Sequence, residues 1–200
     1  MTAPRPAVGS QARAVAILCM LVSSVSGAWS FSEAFSFFEP WTRSTESLPR
    51  GTPGAEVMAR FAEATLRAMR PDRQARAALL VVLAISLMFT FVSAGRVLRP
   101  AGLPREGIRK LLCTSAVISA VLRTVDGAAD AAFSLRLARI AAQLVPPGEP
   151  LAEWLLRPPF AVGISVFRTV LVAGALAIIA QYFRSARVKA WAALQDEARP

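Results

Sequence analysis

Residues 160–183 read FAVGISVFRTVLVAGALAIIAQYF and carry one formal charge, Arg168. As a helix this run rises about 36 Å, more than the roughly 30 Å hydrocarbon core of a bilayer. Pro158 and Pro159 stand before it, and Arg184 and Arg187 stand after it. A second run, residues 77–95, has no charge at all. Two such segments make the chain an integral membrane protein.

Composition sets the number of spans. Hydrophobic residues make up 54% of the 200. That is high for a water-soluble domain and low for a chain that lies wholly in lipid, so three or four spans with polar connections are expected. The net charge of +10 could suit a nucleic-acid partner. Yet the basic residues flank apolar runs, where they match anionic headgroups and the positive-inside rule. The bilayer is therefore the expected partner, with other membrane subunits or self-association beside it, and nucleic acid is not.

The chain has no histidine. This removes His-ligated metals and haem, and any Ser-His or Cys-His nucleophile pair. Cys19 and Cys113 are the two cysteines and form no CxxC. They read as packed thiols rather than a disulfide framework. No enzyme activity, cofactor or metal is expected.

The spans fall at about 14–35, 76–96, 108–131 and 160–183, between cytoplasmic tails at 1–13 and 191–200. The first has two readings. Its basic start, apolar run and Ser26-Gly27-Ala28 fit a cleaved signal peptide. Alternatively it is a retained span, ended by the aromatic cluster of Trp29, Phe31, Phe35, Phe37, Phe38 and Trp41. Residues 42–54 read as a loop, with Thr52 and Pro53 as a cap and first helical position. Glu56, Arg60, Glu63, Arg67 and Arg70 then recur at helical spacing opposite Met58, Phe61, Ala62, Leu66 and Met69, which predicts an amphipathic helix. Span three is apolar only over 111–122 and continues through Arg123, Asp126, Asp130, Arg136 and Arg139 without a proline. It is either one long helix or a helix broken near Gly127. The expected fold is all-α: an integral membrane four-helix bundle with an amphipathic helix in the first extracytoplasmic connection. The basic loop over 96–110 and the basic tail put both termini in the cytoplasm.

Each span offers one small or polar face. These are Cys19, Ser23, Ser26, Ser30 and Glu33 in the first; Ser86, Thr90 and Ser93 in the second; Ala116, Ser119, Arg123, Asp126 and Asp130 in the third; and Ser165, Thr169, Ala173 and Ala177 in the fourth. Phe160, Ile164, Phe167, Leu171 and Ile178 are expected to face lipid. Arg168 would lie about 12 Å into the core from the outer end, and Arg123 at a similar depth on an antiparallel neighbour. An unpaired charge there costs about 2.5 to 3.5 kcal/mol. Pairing is therefore expected among Arg123, Asp126, Asp130, Arg168 and Glu33. Such a cluster is either a lock on helix register, a polar site for an ion, proton or small anion, or a set of side chains snorkelling into headgroups.

Arg109, Lys110, Leu111 and Leu112 open span three after a basic loop, and residues 166–184 are followed by an acidic-basic tail. In these stretches the chain resembles an uncharacterised family of bacterial four-span inner-membrane proteins. The resemblance implies a layout and a cytoplasmic-membrane location, and no chemistry. The functional expectation is a non-catalytic structural, sensory or accessory membrane subunit, with a small transporter or channel using the charge cluster as the alternative.

Overall fold

A computed structural model describes residues 5–38, 55–99, 105–144 and 158–197. The elements in chain order are α1 (Arg5–Phe38), α2 (Ala55–Met69), a single 3-10 turn (Arg70–Asp72), α3 (Arg73–Leu98), α4 (Arg105–Leu144), α5 (Pro158–Arg184) and α6 (Ala186–Glu197). Four stretches are long and apolar enough to cross a membrane, carried by α1, α2 running into α3, α4 and α5. The fold is an all-α bundle. The expected loop at 42–54 with its Thr52 cap lies outside the described residues, as does the connection over 145–157.

Two boundaries differ from expectation, and of the two readings of span three the continuous helix is the one found. Helix α1 begins at Arg5, so most of the expected N-terminal tail is helical, and it passes unbroken through Ser26, Gly27 and Ala28. Helix α4 is continuous past Gly127 to Leu144. The polar tail after span four is largely the helix α6, because Val188 and Ala192, four residues apart, give it a buried side.

Contacts divide the chain into two units. Unit 1 comprises Met1–Phe31, Val81–Thr124 and Val170–Pro200; unit 2 comprises Ser32–Leu80 and Val125–Thr169. In unit 1, Cys19, Leu112, Cys113, Ile179, Phe183 and Val188 share one buried cluster. Leu83, Leu87 and Leu176 form another. Both cysteines are free thiols. Between these clusters Ser86 and Ser119 meet Oγ to Oγ at 2.8 Å, and Thr90 Oγ1 lies 3.3 Å from Ser119 Oγ. The polar stripes of the first three spans therefore do face inward.

Helix ends in unit 1 are closed by side chains from elsewhere. Asp196 on α6 accepts the backbone N–H of Arg105 at 2.7 Å and of Glu106 at 3.0 Å, which caps α4. Arg105 Nη1 donates to the Val97 carbonyl at 2.8 Å, and Arg109 Nη1 to the Phe183 carbonyl at 2.8 Å, which satisfies the ends of α3 and α5.

In unit 2, α2 buries Ala62, Ala64, Thr65 and Ala68 and turns the Glu63–Arg67 pair outward. Pro71 sits in the 3-10 turn that leads from α2 into α3, and Asp72 in the same turn pairs with Arg136 of α4. Arg73 Nε donates to the Phe37 carbonyl at 2.5 Å, closing the end of α1.

The surface polarity is inverted relative to a water-soluble protein. Phe167 is 70% exposed and Ile178 69%, while Thr90, Ser93 and Ser119 are fully buried. Lipid gives bulky apolar side chains no reason to leave the surface, so many face outward while small and polar residues share the interior with Leu83, Leu87, Leu112, Leu176 and Phe183. Ile164 and Leu171 also face outward as expected. Ala177 does not face the bundle; Leu176 and Ala180 do. A strict four-residue stripe overshoots a helical turn by about 40° per step, so by its fourth member it has rotated off the face.

Gly127 marks a close approach of α4 and α5. A Cβ built there would lie 2.0 Å from Thr169 Oγ1 and 2.6 Å from its Cγ2. Gly127→Ala is therefore expected to cost about 1–3 kcal/mol through overpacking. Thermal unfolding in detergent should register the loss, and adding Thr169→Gly should restore much of it. In unit 1, Asp196→Ala should cost about 1 kcal/mol as a lost cap, measured by the same unfolding.

Candidate functional site

The ionisable side chains buried in unit 2 converge on Arg76, in the first turn of α3. Its residue is 6% exposed. Nη2 donates to Glu33 Oε1 at 2.9 Å and to Asp130 Oδ1 at 2.5 Å, so a single guanidinium nitrogen joins α1 and α4 to α3. The guanidinium also lies over two rings, 5.4 Å from the centroid of Phe37 and 5.2 Å from that of Phe133. Cation–π attraction is strongest where water is excluded, as it is here.

Asp130 is held through both oxygens. Oδ1 takes the Arg76 bond, and Oδ2 accepts a hydrogen bond from Ser165 Oγ of α5 at 2.6 Å. Arg168, also on α5, stands further off: its Nη2 is 3.5 Å from Asp130 Oδ2 and 3.7 Å from Glu33 Oε2. It is 28% exposed, where Arg76 is not. Asp126 is fully buried one turn before Asp130, and its charge acts on Glu33.

Of the five residues expected to cluster, Glu33, Asp130 and Arg168 meet directly, and Asp126 lies within electrostatic range. Arg123 belongs to unit 1, where its residue is 3% exposed. The residue that sequence reasoning missed is Arg76. It follows Arg67, Arg70 and Arg73 at three-residue steps and so reads as one more basic residue flanking a span. The signal was present in the charge count: three acids against two arginines left a negative charge without a partner. Ser165, one of the small residues on the packing face of span four, is also a donor to the cluster.

Chemically, the site holds charge. Arginine stays protonated at any physiological pH and cannot serve as a general base. Among the described residues, no group of three or more His, Cys, Asp or Glu is placed to hold a metal ion. A separate groove of about 460 Å³ in unit 1, lined by Ser24, Gly27, Phe31, Ile85, Met88 and Phe91 among others, has no charged residue in its lining. The chain matches no protein-family model, no curated protein and no solved structure. Fold and site define a class: a multi-pass α-helical membrane protein with an internal arginine–carboxylate clasp.

Removing Arg76 would leave two carboxylates facing one another in a site closed to water. Arg76→Leu is expected to cost about 3–5 kcal/mol. Arg168→Leu should cost less, about 1.5–3 kcal/mol, because its contacts to the same carboxylates are longer. Paired unfolding measurements in detergent would check the ranking; equal losses would mean that the two arginines share the load.

Proposed function

We propose that the chain is a non-catalytic multi-pass subunit of the bacterial cytoplasmic (inner) membrane, structural, sensory or accessory in role, with both termini in the cytoplasm. The single observation that carries this reading is the engagement of Arg76. It is held by two carboxylates and two aromatic rings, and the carboxylate it shares with α4 is itself held by Ser165 of α5. A cluster organised in this way fixes helix register, and its central charge is not available to a passing substrate. A membrane enzyme is disfavoured by the lack of histidine and of a paired thiol motif.

Charge distribution supports the orientation. The basic residues of unit 1 lie mainly at the end of α3, the start of α4 and the junction of α5 with α6, and such flanks favour the cytoplasmic side.

One feature favours the transport alternative. Arg168 is partly exposed and stands 3.5 and 3.7 Å from its two carboxylates, so an exchange of one of them for a small anion is the step this alternative needs. Proteoliposomes containing the full chain separate the two readings. The subunit reading expects no ion or proton flux above protein-free vesicles. Flux that disappears in a folded Arg168→Leu variant would establish transport instead. Topology is tested by labelling Ser44→Cys and Ser185→Cys in intact cells, against a background whose own thiols are buried. The two positions should react from opposite sides; reaction from one side would rule out four spans in this order.

A further inference from the structure

The bases of unit 1 behave differently from those of unit 2. The C-terminal end of α3, the N-terminal end of α4, the end of α5 and the whole of α6 are brought together by the caps already described: Arg105 on the α3 carbonyls, Arg109 on the Phe183 carbonyl and Asp196 on the α4 amides. Trp191 of α6 packs near Gly9 of α1, where a Cβ built on the glycine would lie 3.5 Å from its Nε1. A tryptophan directly after a span suits the headgroup level of a bilayer.

Two of the three carboxylates in this region are already engaged; the third, Glu197, is exposed at the end of α6. Glu106 bonds Arg109 at 2.6 and 2.7 Å and lies 3.7 Å from Lys110. Asp196 spends both oxygens on backbone amides. Arg96, Arg99, Arg184, Arg187 and Lys189 are all exposed, and among the described residues none is paired with a carboxylate. Five outward cations stand at the end of α3 and around the junction of α5 with α6, against one exposed and unengaged acid, Glu197.

We propose that this surface of unit 1 binds the phosphate headgroups of anionic phospholipids. Charge complementarity selects the occupant: a row of unpaired cations beside membrane-spanning helices attracts anionic lipid at about 1 kcal/mol per residue. The contact also bears on α6. Arg184, Arg187 and Lys189 flank the Ser185 junction where α5 gives way to α6, so bound phosphates would draw α6 toward the interface and reinforce the Asp196 cap.

The full chain in nanodiscs of phosphatidylcholine, with or without phosphatidylglycerol, tests this. Native mass spectrometry should show about a tenfold preference for retained phosphatidylglycerol at low salt, weakening as salt rises. The unfolding midpoint should be higher in the anionic discs. A triple variant, Arg184→Gln, Arg187→Gln and Lys189→Gln, changes only exposed side chains and should lose most of that preference. The charge-conserving Arg184→Lys with Arg187→Lys should retain it, as should Arg60→Gln with Arg67→Gln in unit 2. Equal retention of the two lipids by the unmodified chain overturns the proposal. So does an unchanged preference in the triple variant. Inorganic phosphate that displaces the lipid at low concentration, or a DNA duplex bound more tightly than the anionic disc, would assign the surface to another ligand and overturn it as well.

Discussion

The contact between Arg76 and the carboxylates of Glu33 and Asp130 is the constraint on which unit 2 depends. Each of the four long helices contributes a member: Glu33 from α1, Arg76 from α3, Asp130 from α4, and Ser165 with Arg168 from α5. In water such a pair would compete with hydration and gain little. In hydrocarbon the alternative for each group is an unsatisfied charge, so separating them is the costly event. Lipid removes the hydrophobic drive that would hold helices together in water. Directional polar contacts are then what distinguish one helix register from another, and a shift of one residue on any of these helices would rotate its member out of reach by about 100°.

Close packing supplies what the ionic contacts do not. Gly127 allows α4 to meet Thr169 of α5 at a distance that any side chain would block. It lies one residue after Asp126 and three before Asp130, so close approach and charge placement are set by the same turn of helix. In unit 1 the equivalent work falls to hydroxyls and small residues, with Ser86, Thr90 and Ser119 bonded among themselves where α3 meets α4. These bonds satisfy the side chains without a carboxylate or an arginine among the three. The tight contacts of both units are thus built from groups that a water-soluble core would place at its surface.

The parts of this arrangement that were legible in sequence are those governed by one helix at a time. A run without charge is a span because burying a charge in hydrocarbon is expensive, and helix length follows from bilayer thickness. The inward stripes of Cys19, Ser23, Ser30, Ser119 and Asp126 were readable for the same reason, since side-chain size along one helix reveals its packing face. What could not be read depends on two helices meeting. Arg76 looks like its neighbours Arg70 and Arg73 until Glu33 and Asp130 are placed opposite it. Asp196 looks like a tail acid until the first amides of α4 are beside it. Gly127 suggested a break because glycine lowers helix propensity, and only the facing Thr169 explains why a glycine stands there.

Arginine therefore has two roles in this chain, and the acids around it decide which. The units have nearly equal numbers of basic residues, but unit 2 has ten acids to unit 1's three. In unit 2, Arg67, Arg76, Arg136 and Arg168 are each drawn to a carboxylate on their own or a neighbouring helix, and they serve the fold. In unit 1, Asp196 closes the start of α4 and Glu106 is taken by Arg109, which leaves the outer arginines and Lys189 facing outward. The same residue type is internalised where carboxylates are plentiful and left as surface charge where they are committed elsewhere. Most of the chain's net charge is consequently carried by unit 1.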